Sequence, residues 1–335
     1  MKNLLYTFLL LCFGCSNYSQ KQEKINGISF VASNREISEE SVLPVIKSNA
    51  NWVTLMPFGF MRSISDSNLI FNSKRQWINE RQEGLEKSVA LFHQKNSKIM
   101  IKPQVWIPNG FTGEIAMNTE EDWLLLEKKY SEFILFYAKI AQQTNCELFC
   151  IGTELNSFVA SRPQFWNTLI LDVKKIYTGK ITYAENWDKV ENVNFWMNLD
   201  FIGVDAYFPV SDLQTPTVKE CKKGWEKWFS VLKNLSKRNN KKILFTEFGY
   251  QSRDFTAKEP WSHSTNESVN LKAQENALKA LFDVFWKENW FAGGFLWKWF
   301  DNHEKSGGKD NSDYTIQNKP SYELVQKVFD NEREK

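Results

Sequence analysis

The sequence predicts a single α/β domain in which eight strands alternate with helices and close into a (β/α)8 TIM barrel. Three observations predict it. Short apolar, β-branched or aromatic runs recur at intervals wide enough to hold a helix. The runs are apolar at nearly every position, as strands covered on both faces are. No Gly-rich phosphate turn follows an early run, in "NGISFVAS" or in "MPFGFM", so a doubly wound open sheet lacks its usual signature. A length of 335 residues admits two average domains, but it also lies in the range that one barrel fills.

The expected strands are residues 28–31, 52–56, 99–104, 148–152, 180–184, 201–204, 243–246 and 293–297. Between them lie "SEESVLPVIKSN", "RQEGLEKSVALFHQKN", "EEDWLLLEKKYSEFILFYAKIAQQTN", "PQFWNTLILDVKKIY", "CKKGWEKWFSVLKNLSKRNN" and "ESVNLKAQENALKALFDVFWKEN". Each places apolar residues three and four apart with charge on the other side, and most begin near a Ser, Thr, Asp or Asn, which together read as amphipathic helices with N-caps. The connection from the fifth to the sixth run, around "ENWDKVENVNFWMNLD", is short and the least clear of the set.

Hydrophobic residues make up 42% of the chain and charged residues 24%, ordinary values for a soluble protein with a large core, so disorder is excluded. The formal net charge of +2 comes from interleaved acids and bases without a basic block, and nucleic acid is not an expected partner. Aromatic content is 15%, with 14 Trp, more than a core needs when aliphatic side chains pack without a ring N–H to satisfy. About half of these indoles belong to core packing. The surplus points to a flat apolar ligand, and the C–H face of a sugar is the commonest. Cys146 and Cys150 are too far apart along one extended strand to bond, and Cys221 stands alone. The three His are scattered, so neither a metal site, a Ser-His-Asp triad nor a cofactor is expected, and a monomer is.

In a barrel of this kind chemistry sits at the C-terminal ends of the strands. The fourth run ends in "ELFCIGTELNSF" at Glu154 and the seventh in "KILFTEFGY" at Glu247, both as Thr-Glu after an apolar stretch. A buried carboxylate costs several kcal/mol unless it is paired, hydrogen-bonded or protonated. Either acid alone fits a structural ion pair as well as catalysis. Strands four and seven, however, face each other across the barrel mouth, and a facing acid pair is what glycoside cleavage needs. A retaining mechanism calls for the two carboxyl groups about 5 to 5.5 Å apart. Other run ends carry polar groups and indoles: Lys102, Gln104 and Trp106 in "KPQVWIPNG", Glu185, Asn186 and Trp187 in "TYAENWD", Asp205 and Tyr207 in "VDAYFP", and Trp297 and Trp299 in "FLWKWF". Of these Lys102, Trp106, Asn186, Trp187, Tyr207 and Trp297, with Asn156 just past Glu154, are the expected substrate contacts.

The N-terminus reads "MKNLLYTFLLLCFGCSNYSQ", where Lys2 precedes an apolar run from Leu4 to Phe13 that is too short to span a bilayer stably. That is a secretory signal. Its end, Phe13-Gly14-Cys15, resembles the lipobox of bacterial lipoproteins, in which the Cys is lipidated; a plain cleaved signal is the alternative. Residues 1–15 are then the signal ending at the lipobox Cys, residues 16–24 a polar tether, and residues 25–335 the barrel. The expected location is the cell envelope, with the membrane reached through the lipid anchor on Cys15.

The blocks "KPQVW", "DWLLLEKKYSEFILFYAKIA", "FCIGTELNSF", "TYAENWD", "LDFIGVDAYFP", "FTEFGYQS" and "GGFLWKW" together resemble glycoside hydrolase family 113, whose members are β-mannan-active barrels with catalytic acids on strands four and seven. The resemblance implies Glu154 as acid/base, Glu247 as nucleophile, Tyr207 as a neighbour orienting the nucleophile, and Trp297 as a floor of the sugar site. It also marks two departures. Thr153 stands where the wider clan often has an Asn that meets the sugar 2-hydroxyl, leaving Asn186 as the candidate for that contact, and Glu185 stands where a small apolar residue is usual. Mannan as substrate rests on the resemblance; the residues themselves indicate a β-glycoside. A carbohydrate-binding surface lipoprotein without turnover, and a transglycosylase or β-glycosidase acting on another β-linked glycan, remain the alternatives.

Overall fold

Alternation of side chains along each strand sorts the core into two layers. A computed structural model describes residues 23–262 and 267–331. Its parallel strands are β1 (Ile25–Phe30), β2 (Trp52–Leu55), β3 (Lys98–Ile101), β4 (Leu148–Thr153), β5 (Lys180–Asn186), β6 (Phe201–Asp205), β7 (Lys242–Phe248) and β8 (Phe291–Trp299). They close in sequence order, with β8 pairing β1 from Ile25↔Gly293 onward. Leu148 and Cys150 point into the barrel, where they pack with Met100, Ala184, Leu244 and Phe295, while Phe149 and Ile151 point outward into the larger cluster beneath the helices. Each such fully buried side chain contributes on the order of 1.5–3 kcal/mol, which is why the runs are apolar on both faces.

The outer layer is α1 (Glu39–Lys47), α2 (Gln82–His93), α3 (Glu120–Gln143), α4 (Asn156–Ser161), α5 (Pro163–Ile176), α6 (Val218–Asn239), α7 (Leu271–Phe285) and α8 (Ser321–Asn331). Caps start the long ones: the Thr119 side chain accepts from Asp122 N at α3, and Thr217 and Glu220 form a reciprocal capping box at α6. Asn240, at φ +50°, turns the chain out of α6 and into β7.

All eight expected strands are present in the expected order. Three details differ. The third run, expected over 99–104, divides after Ile101, because Pro103 has no N–H to give a ladder. Residues Gln104–Trp106 then pair with Phe58–Phe60 in a separate two-stranded sheet. The connection from β5 to β6 holds two 3-10 turns, Val190–Asn192 and Trp196–Asn198, and no α-helix. Helices α4 and α8 were not anticipated, α4 because six residues are too few to show a period and α8 because it follows the last strand.

The signal and lipobox, Cys15 included, lie outside the described residues. Lys24, expected as the last residue of a tether, is instead part of the fold. Lys24 is buried, and its ammonium donates to the carbonyls of Glu288 (2.6 Å) and Phe291 (2.5 Å), while Asn51 Nδ2 donates to the Glu23 carboxylate (2.9 Å). Cys146, Cys150 and Cys221 are buried thiols without a disulfide. Among the described residues no helix is long and apolar enough to cross a membrane, and no group of three or more His, Cys, Asp or Glu could hold a metal ion.

Candidate active site

Strand irregularities collect at the C-terminal ends and set the aim of the side chains there. The β4–β5 ladder shifts register between Cys150 and Thr153, and the β6–β7 ladder shifts between Val204 and Asp205. The first shift turns Thr153 toward the cleft, and the chain then enters the left-handed region at Glu154, φ +53°. A non-glycine residue holds that conformation only where its surroundings fix it, at a cost on the order of 1 kcal/mol or more. Here the backbone is fixed on both sides. Glu154 N donates to the Ala184 carbonyl (2.8 Å), and the Tyr130 hydroxyl donates to the Ile151 carbonyl (3.0 Å). The second shift sets Asp205 directly beside Glu247 in the ladder.

The cleft above these strand ends has a volume of about 900 Å³. Its polar lining includes Thr153, Glu154, Asn186, Asp205, Tyr207 and Glu247, with Gln104, Thr112, Asp188 and Lys298 around them, and Phe58, Trp106, Phe111, Trp187, Trp261, Trp297 and Tyr314 form its aromatic part. The two central acids have different surroundings. Glu247 is buried and its carboxylate accepts three hydrogen bonds: Lys102 Nζ (2.5 Å) and Gln104 Nε2 (2.8 Å) reach Oε1, and the Tyr207 hydroxyl reaches Oε2 (2.8 Å). Donors of this kind stabilise the anion. Glu154 is partly exposed and its carboxyl makes no side-chain hydrogen bond among the described residues. Desolvation first, then the negative charges of Asp205 and Glu247, push it well above the usual carboxylate range, against the pull of Lys102.

Lys102 lies below the cleft rather than on its wall. This corrects its expected part as a substrate contact. It is fully buried, with Nζ 3.1 Å from both Asp205 oxygens as well as 2.5 Å from Glu247. Burial opposes its charge, but the two carboxylates outweigh burial and hold the ammonium above the ordinary lysine value. Asp205 also accepts from Thr246 Oγ1 (2.8 Å), and burial together with the charge of Glu247 raises it to about 7.

The structure brings Trp106, Asn186, Trp187, Tyr207 and Trp297 to the cleft as the sequence suggested. Asn156 is the first residue of α4 and does not line it. Trp299 is fully buried on the helix side, stacked on His303 at 5.4 Å, because it falls out of step with Trp297 along β8. Glu185 is likewise behind the sheet. Phe111, Trp261 and Tyr314 were missed. They sit on loops, where no periodicity marks them, although a Trp in the polar stretch "KEPWSHS" is itself a signal. Trp261 stacks on Trp187 at 5.3 Å and 27°, and Trp228 meets Trp187 edge-on at 5.2 Å.

One acid desolvated without hydrogen-bond donors, beside another gripped by donors, in a cleft lined by aromatic rings, is the division that cleavage of a glycosidic bond requires. Fold and site together define a glycoside hydrolase built on a (β/α)8 barrel. The profile of glycoside hydrolase family 113 matches residues 32–319, and the chain belongs to that family. Among solved structures, a family 113 β-mannanase from Alicyclobacillus acidocaldarius, in complex with ManMIm, is similar with a TM-score of 0.82 and 26% identity, over 92% of this chain and 98% of its own. A family 113 β-1,4-mannanase gives 0.80 at 22% identity, over 92% and 99% of the two chains. A β-glucuronidase from Ruminococcus gnavus gives 0.61 at 11% identity, over 92% of this chain and 50% of its own. These last two likenesses show the fold alone. No curated protein matches the sequence.

The buried Lys102 yields a prediction. Lys102→Met keeps the stem but leaves Asp205 and Glu247 side by side without a counter-charge. Unfolding free energy in urea should fall by about 3–5 kcal/mol, with turnover lost, as when one partner of a buried pair is removed. A variant with an unchanged urea midpoint would show that the ammonium does not hold the two acids together.

Proposed function

We propose that the enzyme hydrolyses β-1,4-mannosidic linkages in mannan or manno-oligosaccharides with retention of configuration. The observation that carries the mechanism is the asymmetry of the two acids. Glu247, held by Lys102, Gln104 and Tyr207, is suited to attack the anomeric carbon. Glu154, with a raised pKa, is suited to hold a proton near neutral pH and to pass it to the leaving oxygen. Once the glycosyl-enzyme forms, Glu247 carries no charge. One of the influences keeping the proton on Glu154 is then gone, and Glu154 can take a proton from the attacking water. Mannan as substrate is supported by the family and by the neighbours described as β-mannanases. Trp297, Trp106 and the stacked Trp187–Trp261 pair line the cleft and offer aromatic surface to pyranose rings.

The same proposal places the enzyme at the cell envelope, held by a lipid on Cys15. The chain enters the barrel at Lys24, at the N-terminal end of β1 and therefore on the face opposite the cleft. An anchor there leaves the cleft turned toward solvent.

Two tests follow from this reading. Glu247→Ala should abolish turnover and regain it with azide or formate, giving product of inverted configuration, whereas Glu154→Ala should keep slow cleavage of substrates with good leaving groups and, with azide, give retained product. The reverse pattern, or no cleavage of β-mannan in a panel with glucomannan, xylan and β-glucan, would overturn the reading. For the anchor, Cys15→Ser should move the protein from the membrane fraction to the soluble fraction with kcat unchanged. A wild-type protein found wholly in the soluble fraction would contradict it.

A further inference from the structure

On the face of β5 turned away from the cleft, two polar side chains lie side by side, Tyr183 at 0% and Glu185 at 1% exposure. The Tyr183 hydroxyl accepts the N–H of Leu155 (2.8 Å) and donates to Glu185 Oε2 (3.0 Å), and Glu185 Oε1 accepts the N–H of Asn186 (2.8 Å). Leu155 follows Glu154 directly. The relay therefore ends on the peptide bond that carries the proposed acid/base, at the point where the chain is held in the left-handed region. Space for the Tyr183 ring is provided by Gly152, where a Cβ would stand 3.0 Å from that ring and 2.7 Å from the Tyr130 hydroxyl. Among the described residues no Lys or Arg pairs with Glu185. A buried carboxyl group without a cation is costly to the fold, and its neighbours supply two donors but no neutralising charge.

We propose that Glu185 is a positioning residue for Glu154: through Tyr183 it fixes the backbone at Glu154–Leu155, and its charge, placed behind the sheet, helps to keep the proton on Glu154. This rests on the reading of Glu154 as acid/base. The charged groups facing Glu154 are Asp205 on β6 and Glu247 on β7, which favour its proton, Lys102 after β3, which opposes it, and Glu185 on β5, which favours it. Those facing Glu185 are Asp205 and Asp188, with Tyr183 on its own strand. Burial, with the charges of Asp205 and Asp188, raises Glu185 to about 7 against the two hydrogen bonds it accepts. Its charge is therefore present on the alkaline side of neutrality, where a general acid must still hold its proton.

The test is the pH dependence of kcat/KM on an unactivated oligosaccharide for the wild type, Glu185→Gln, Tyr183→Phe and, as a reference, Glu154→Gln. Glu185→Gln keeps an acceptor for Tyr183 and removes the charge. Its alkaline limb should move to lower pH, with kcat/KM about three- to tenfold below wild type on the alkaline side and within about twofold on the acid side. Tyr183→Phe breaks the relay and removes one of the two donors that favour the Glu185 anion. Its kcat should fall about tenfold at nearly constant KM on the acid side as well as the alkaline side, the signature of a displaced catalytic group. If Glu154→Gln is inactive while Glu185→Gln keeps the wild-type limb and Tyr183→Phe keeps the wild-type kcat, the inference fails and the site reading stands. If Glu154→Gln turns over like wild type, the site reading itself fails. Should Glu185→Gln not fold, the split between kcat and KM in Tyr183→Phe decides alone.

Discussion

The site depends on one fully buried ammonium. Lys102 lies between Asp205 and Glu247, so a single positive charge from the end of β3 ties the ends of β6 and β7 together beneath the cleft. Taking three charges out of water is expensive, and the arrangement holds only because further hydrogen bonds saturate the oxygens: Thr246 on Asp205, and Gln104 and Tyr207 on Glu247. A net negative charge remains next to Glu154. Burial and the charges of Asp205 and Glu247 raise the pKa of Glu154, and the Lys102 ammonium opposes them without cancelling them.

Two carboxylates that look alike in the sequence, each following a Thr, are set apart by backbone geometry. β7 shifts register against both neighbours just before Glu247 but continues as strand to Phe248, which leaves the acid inside the barrel among donors. β4 ends in a register shift and a left-handed turn, which delivers Glu154 to the cleft without donors. Tyr130 of α3 and Tyr183 of β5 hold that turn from behind the sheet. The helix layer therefore takes part in shaping the acid as well as in covering the sheet.

Much of this was legible in the sequence, and the rest was hidden for physical reasons. Apolar runs gave away the eight strands because both faces of each are covered, and Glu154 and Glu247 were conspicuous as charges at the ends of such runs. The reading of Lys102 as a substrate contact was mistaken because a strand-end position does not reveal depth: the residue lies one step below the cleft floor, and only the register of β6 against β7 shows which acids it meets. Trp299 misled in a similar way: alternation alone would leave it on the face of Trp297, but a register shift of β8 against β1, where Ile28 pairs Leu296 and Phe30 pairs Trp299, turns it to the helix side. Glu185 was noted as unusual, but its link to Leu155 passes through Tyr183, a contact between neighbouring strands that no local pattern encodes. Trp261 comes from a loop whose course is set by tertiary contacts, including the buried Arg253, which donates to the carbonyls of Glu259 and Ser262.

The central claim is that Glu247 is the nucleophile and Glu154 its proton donor and acceptor. It is tested most directly by treating the enzyme with a 2-deoxy-2-fluoro-β-mannosyl fluoride, which forms the glycosyl-enzyme readily and releases it slowly, and mapping the labelled peptide by mass spectrometry. The account predicts one glycosyl group per chain, on the peptide that contains Glu247, and no label in Glu247→Ala. A label on Glu154, or rapid turnover of the reagent to inverted product with no covalent adduct, would contradict it.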